Sequence, residues 1–232
     1  MIKAVRIFNS NVLFKTAVLM VVIIALFFGT GFALGVAAGE NADLSQQAEQ
    51  AGEEISPETL NIIMSCVLGY ISAMAITGSA VNMFYKTDGY KYARTIKNAD
   101  KLFCSSLVGS QLLSHLTAIA LSGVISAIMT LFDCTKALNI PLMMLFSLAS
   151  SLLFDIIIRP LLSTKSGNAR FFLLLITLFF VSAVVSAVFI ATQTLSYQIL
   201  LISGGILTLA TGIGAVISTV SSCRYIRRNW LS

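Results

Sequence analysis

Charge is what this chain has least of. Asp, Glu, Lys and Arg together make up 11% of its 232 residues, while 57% are hydrophobic; an ordinary soluble domain carries about 25% charged residues. That balance excludes a soluble globule and places the chain in a bilayer. Histidine is scarcer still: His115 stands alone, without the companions that proton relays and metal sites need. The four cysteines, at 66, 104, 134 and 223, have no metal-ligand spacing, and only Cys134 falls clearly in an outer loop. Neither a metal site nor a disulfide framework is expected of them. No Gly-rich stretch ends in Gly-Lys-Ser or Gly-Lys-Thr, so the chain has no P-loop with which to hydrolyse ATP.

What the chain does have is long apolar runs. A helix needs roughly 20 apolar residues to cross a hydrocarbon core of about 30 Å, and six segments meet or nearly meet that length, near 14–38, 58–84, 103–132, 138–158, 171–191 and 198–222. The expected fold is therefore all-α, a single polytopic membrane domain over residues 1–232 with six transmembrane helices. Residues 1–13 put Ile2, Val5, Phe8 and Val12 at helical spacing with Lys3 and Arg6 on another side. This predicts an amphipathic helix lying in the interface against anionic headgroups. A signal peptide is the alternative for this end, but the apolar run that follows outlasts an h-region of roughly 7 to 15 residues.

The net charge of +5 is explained by topology rather than by nucleic acid. Of fifteen Lys and Arg residues, all except Lys136 fall in the N-terminus, the 85–102 loop, the 159–170 loop and the C-terminal tail. With six spans these four segments share one side, and the positive-inside rule makes it the cytoplasm, with both termini there. Seven of the ten acids (Glu40, Asp43, Glu49, Glu53, Glu54, Glu58 and Asp133) fall on the other side. They suit a solvated negative cap, the usual role of charge runs, or an attraction for a cationic substrate.

Several positions invite closer reading. Gly31, Gly35 and Gly39 in the first span, and Gly204 and Gly212 in the last, recur at helical steps that let another helix approach the backbone closely. Ser65, Tyr70, Ser72 and Asn82 make the second span polar for a lipid-facing helix, so it belongs in the interior. The third span is more polar again, with Gln111 and His115; an intramembrane ionisable residue is a functional candidate by default, although a neutral imidazole held by a Ser or Thr of a neighbouring helix is the commoner arrangement. Asp155 and Arg159 stand four residues apart at the end of the fourth span and are expected to pair, with Pro160 ending that helix. Ser56-Pro57-Glu58 is a helix-start signal, and Asn98 with Asp100 reads as the cap of the third span.

Catalysis finds little support. Glu53-Glu54 lies in an outer loop without the spacing of an intramembrane metalloprotease, and Gly78-Ser79 with His115 lacks the surroundings of a rhomboid protease. Nor are carboxylates evident near the bilayer midplane, where an autonomous ion-coupled transporter would show them.

The most distinctive stretch is the basic island of residues 85–102. Lys86, Lys91, Arg94, Lys97 and Lys101 face only Asp88 and Asp100, and Tyr85, Tyr90 and Tyr92 are interleaved among them. A turn at Asp88-Gly89 precedes a short amphipathic helix lying along the cytoplasmic surface and running into the third span. This island, the N-terminal amphipathic helix and six spans with both ends inside resemble the type-2 ABC exporter permeases. The resemblance covers the whole chain in architecture and is specific around residues 85–102. It implies that Tyr90, Lys91, Tyr92, Arg94 and Ile96 dock on a separate ABC-type ATPase subunit, which would carry ATP and Mg, and that Lys3 and Arg6 belong to the interfacial connecting helix. A second permease copy or paralogue would face this one across the export path, in the plasma membrane of a bacterial-type cell. Residues 192–197 depart from the pattern, being too short for the re-entrant outer helices of larger members. Two other readings stay open: the substrate-binding membrane subunit of a vitamin importer, and a non-transport immunity or assembly protein whose bases only set its topology.

Overall fold

The computed structural model describes residues 57–83, 97–131, 139–164, 168–169, 173–174, 176–177 and 196–229. Among the described residues there are helices and no strands. We label them α1 (Pro57–Met83), α2 (Ala99–Leu131), α3 (Ile140–Ile156), α4 (Ile158–Ser163) and α5 (Tyr197–Arg228). Four spans are long and apolar enough to cross a membrane: Ile62–Val81, Ala99–Leu131, Ile140–Ser163 and Tyr197–Arg228. They overlap four of the six expected spans. The expected first span and the N-terminal amphipathic helix lie outside the described residues, as does nearly all of the fifth.

Helix starts follow local chemistry. Pro57 opens α1, where its missing amide hydrogen costs nothing. Asn98 precedes α2 in the left-handed region, at φ 63°, a conformation Asn tolerates better than most residues. Its carbonyl accepts the first helical bond, from Leu102 N–H at 3.1 Å, and Asp100 sits in the first turn beside the positive end of the helix dipole.

The bundle buries small polar residues beside its apolar core and leaves large aliphatic residues on its surface. Its interior holds Ser65, Ser72, Thr77, Ser106, Ser110, Ser114, Ser147, Ser151 and Asp155, all buried, while Leu116, Ile202, Ile206, Leu209, Ile213 and Val216 are exposed on its surface. Lipid offers hydrogen bonds to nothing, so polar groups turn inward and large aliphatic groups outward. Small residues then set the helix spacing. Ser65, Gly69 and Ala73, at four-residue steps on α1, are buried, and a Cβ at Gly69 would run into the Ser147 carbonyl of α3. Ser147 Oγ in turn donates to Ala118 O on α2 at 3.0 Å.

Two apolar clusters close the ends. Val81, Ala99, Phe103, Phe154, Ile158, Leu162 and Ile226 pack together at one end, and Ile62, Cys66, Leu142, Phe146 and Leu200 at the other. The chain order within these clusters shows that α1, α3 and α5 run in one direction and α2 in the other. The connection between Thr164 and Ser196 therefore joins opposite ends of the bundle. Thr177, from within that connection, accepts a 2.9 Å hydrogen bond from Tyr70 Oη midway along α1. All described bases (Lys97, Lys101, Arg159, Arg224, Arg227 and Arg228) belong to the first end. The second end has Glu58 and no described base.

Pro160 does not end the helix, contrary to the sequence expectation. The chain makes a turn at Ile157, whose N–H reaches Phe154 O at 3.2 Å, and resumes as α4 through Ser163. Proline is tolerated here because it falls in the first turn of the new segment. Its missing N–H would leave Ile156 O without a helical donor, and Ser218 Oγ of α5 supplies one at 2.9 Å.

Candidate functional site

The polar interior converges on His115. Counting 1.5 Å per residue, it lies about 24 Å along α2 from Ala99, well inside the bundle. Its Nε2 is 2.9 Å from Asp155 Oδ2, and its Nδ1 is 2.8 Å from Ser151 Oγ. Both partners come from α3, one turn apart on the face that also carries Ser147. Asp155 is 2% exposed. A buried carboxylate and an imidazole that is 14% exposed are thus held against each other, joining α2 to α3 by side-chain contacts on both ring nitrogens.

Neighbouring groups extend the network to every long helix described. One turn before His115, Gln111 Nε2 donates to Thr219 Oγ1 of α5 at 2.8 Å. Thr219 Oγ1 donates onward to Ala215 O at 2.7 Å. On the α1 side, Thr77 Oγ1 donates to Ser114 Oγ at 3.2 Å, and Ser114 Oγ to Gln111 O at 2.7 Å. Asp155 Oδ1 remains buried with no hydrogen-bond partner among the described residues. Leaving a carboxylate oxygen unsatisfied in an apolar surrounding is costly, more so than for the neutral hydroxyls of Ser72, Ser106, Ser110 and Ser222, which are likewise without a partner among the described residues.

The expected Asp155–Arg159 pair is not formed. The turn at Ile157 lies between the two residues and breaks the continuous helix on which an i, i+4 pair depends. Asp155 faces His115 instead, and the Arg159 guanidinium sits over the Tyr225 ring of α5, 4.1 Å from its centroid. Because α4 continues to Ser163, Asp155 lies about two turns from the helix end, deeper than the sequence suggests. His115 does take the serine partner considered for it, but a carboxylate accompanies that serine.

The other sequence candidates fall in different places. Tyr70 is buried, hydrogen-bonded to Thr177, with its ring edge-on to Phe154 at 5.7 Å between centroids. Ser65 and Ser72 are buried in α1 on either side of it, and Ser72 Oγ has no described partner. Asn82 belongs to α1, but its side chain is outside the described set. Gly204 and Gly212 of α5 both lie against α3, with Phe146 and Leu152 respectively 3.5 Å and 3.9 Å from where a Cβ would stand. Tyr90, Lys91, Tyr92, Arg94 and Ile96, together with Lys3, Arg6, Gly31, Gly35 and Gly39, lie outside the described residues. Among the described residues no group of His, Cys, Asp and Glu could hold a metal ion.

Sequence reading missed Asp155, Ser151, Thr219 and Gly69 as parts of this arrangement. A signal existed for the α3 residues: Ser147, Ser151 and Asp155 recur at four-residue steps, one polar stripe on an otherwise apolar helix. Comparison of the chain with protein-family models, with curated proteins and with solved structures finds no match.

Proposed function

We propose that the chain is the transmembrane permease subunit of an ATP-driven exporter, moved by a separate ATPase subunit through its 85–102 loop. The observation that supports this reading is the continuity of α2. It runs unbroken for 33 residues, from the basic end that carries Lys97 and Lys101 to the far side of the His115 network. A displacement at its first turn is carried along a rigid rod of about 50 Å into the interior contacts with α1, α3 and α5. Motion enters at a basic handle and arrives at a polar core.

In this reading the described bases mark the cytoplasmic end, consistent with the positive-inside rule. Six spans place both termini on that side, with residues 1–13 as an interfacial helix of a bacterial-type cytoplasmic membrane. Tyr90, Lys91, Tyr92, Arg94 and Ile96 form the docking surface, ATP and Mg belong to the partner, and a second permease copy or paralogue completes the path. The test is co-purification from a host that contains the native operon. An ATPase is expected to accompany the wild-type chain and to be lost when Tyr92, Arg94 and Ile96 are all replaced by Asp. Retention of the ATPase by that variant, or purification of the intact chain with no ATPase at all, would overturn the proposal.

A further inference from the structure

The contacts of Ser151 decide what the buried pair can do. Ser151 Oγ lies 2.9 Å from Leu148 O and 2.8 Å from His115 Nδ1, yet a hydroxyl has a single proton to donate. When that proton goes to Leu148 O, Nδ1 must carry a hydrogen and donate it to Ser151. The 2.9 Å contact between His115 Nε2 and Asp155 Oδ2 then requires one more proton, held on the nitrogen as an imidazolium facing a carboxylate or on the oxygen as an acid facing a neutral ring. When Ser151 turns to donate to Nδ1, the same imidazole is neutral and its Nε2–H donates to the carboxylate. The two arrangements differ by one proton and share every heavy-atom position.

We infer that His115, Asp155 and Ser151 form a reversible one-proton binding site inside the membrane bundle. With the proton bound the site is neutral overall; without it the site carries one negative charge, stabilised among the described residues by the histidine N–H donated to the carboxylate. No other charged group reaches the pair among the described residues. α5 presents Ser218 and Thr219, with Cys223 a turn further on. α1 presents Thr77 by way of Ser114, and Tyr70, whose hydroxyl is engaged by Thr177. On α4, Arg159 is held on Tyr225, and Cys104, at the start of α2, meets the Cys223 carbonyl.

Balance between the two forms depends on α2 and α3 remaining in contact, because the ring comes from one helix and both its partners from the other. Separating those helices would remove the carboxylate from the ring and the hydroxyl from Nδ1 together, which ties proton binding to the α2–α3 contact. The site stands on this chain's own geometry and does not rest on the exporter reading; loss of an ATPase partner leaves the titration untouched.

A single histidine makes the test direct. The full chain, labelled with 15N-histidine and placed in lipid nanodiscs, gives ring-nitrogen signals from His115 alone. Between about pH 4 and about pH 10, a range that brackets carboxylate and imidazole titration, the signals are expected to pass in a one-proton step from a form with Nδ1 protonated to a form with Nδ1 bare. Asp155→Asn is expected to change the proton concentration at mid-conversion by at least about tenfold, the effect of removing an adjacent charge. Ser151→Ala, which keeps the acid and deletes the donor to Nδ1, is expected to move it as well and serves if the Asn variant does not assemble. One unchanging form in the wild-type chain, or a titration that neither substitution moves, would overturn the proposal.

Discussion

At the scale of single residues, the account turns on two side chains forty positions apart. Asp155 at 2% exposure is tolerable inside a membrane only because His115 meets it; an unpaired carboxylate at a helix centre costs about 2.5 to 3.5 kcal/mol on insertion scales. Breaking a buried pair from one side typically costs about 3 to 5 kcal/mol. Removing both partners is expected to cost less than the two single losses summed. We therefore expect His115→Ala, Asp155→Ala and the double variant, compared by thermal unfolding in one detergent, to show a coupling of at least about 1 kcal/mol. Additive losses would mean that the two residues do not act as a pair. The sequence singled out His115 because an ionisable group in an apolar run stands out by itself. Its partner was marked only by the polar stripe of Ser147, Ser151 and Asp155, since Asp155 has a base four residues away and the turn that separates them has no strong local signature beyond Pro160. Tertiary contacts, not spacing, decide which of two candidate partners a carboxylate takes.

At the scale of elements, helix length and polarity were readable and helix continuity was not. The apolar run beginning after Ser56-Pro57 corresponds to α1 almost residue for residue, because a cap signal and a hydropathy boundary coincide there. Past residue 158 the sequence suggested a stop, whereas Ser218 compensates the carbonyl that Pro160 leaves free, and the helix resumes. That compensation comes from a residue 62 positions away, beyond the reach of local patterning. Close packing was legible in part: the glycine steps of the last span lie against α3, while the Ser65, Gly69 and Ala73 stripe of α1 mixes three residue types and has no such plain pattern. Gly69 is a tight point of the α1–α3 seam, since the obstacle to a side chain is backbone rather than a movable group. Gly69→Ala is expected to destabilise the bundle by about 1 to 3 kcal/mol, the usual cost of overpacking, measured by thermal unfolding in detergent. Gly205→Ala meets open space and is the matched control, expected to be near neutral.

At the scale of the whole molecule, four helices long and apolar enough to span a membrane and an aliphatic outer surface suit a lipid surround. The two ends are then distinguished by charge: six described bases at one, none at the other. The functional reading depends on that asymmetry, because an ATPase can grip the 85–102 loop only if the end bearing Lys97 faces the cytoplasm. The most direct measurement is impermeant maleimide labelling of intact cells, in a background where Cys66, Cys104, Cys134 and Cys223 are replaced by Ser. Leu131→Cys, at the 82% exposed final residue of α2, is expected to label from outside, and Lys97→Cys only after the membrane is opened. Labelling of Lys97→Cys in intact cells, with Leu131→Cys protected, would put the basic end outside and contradict the account.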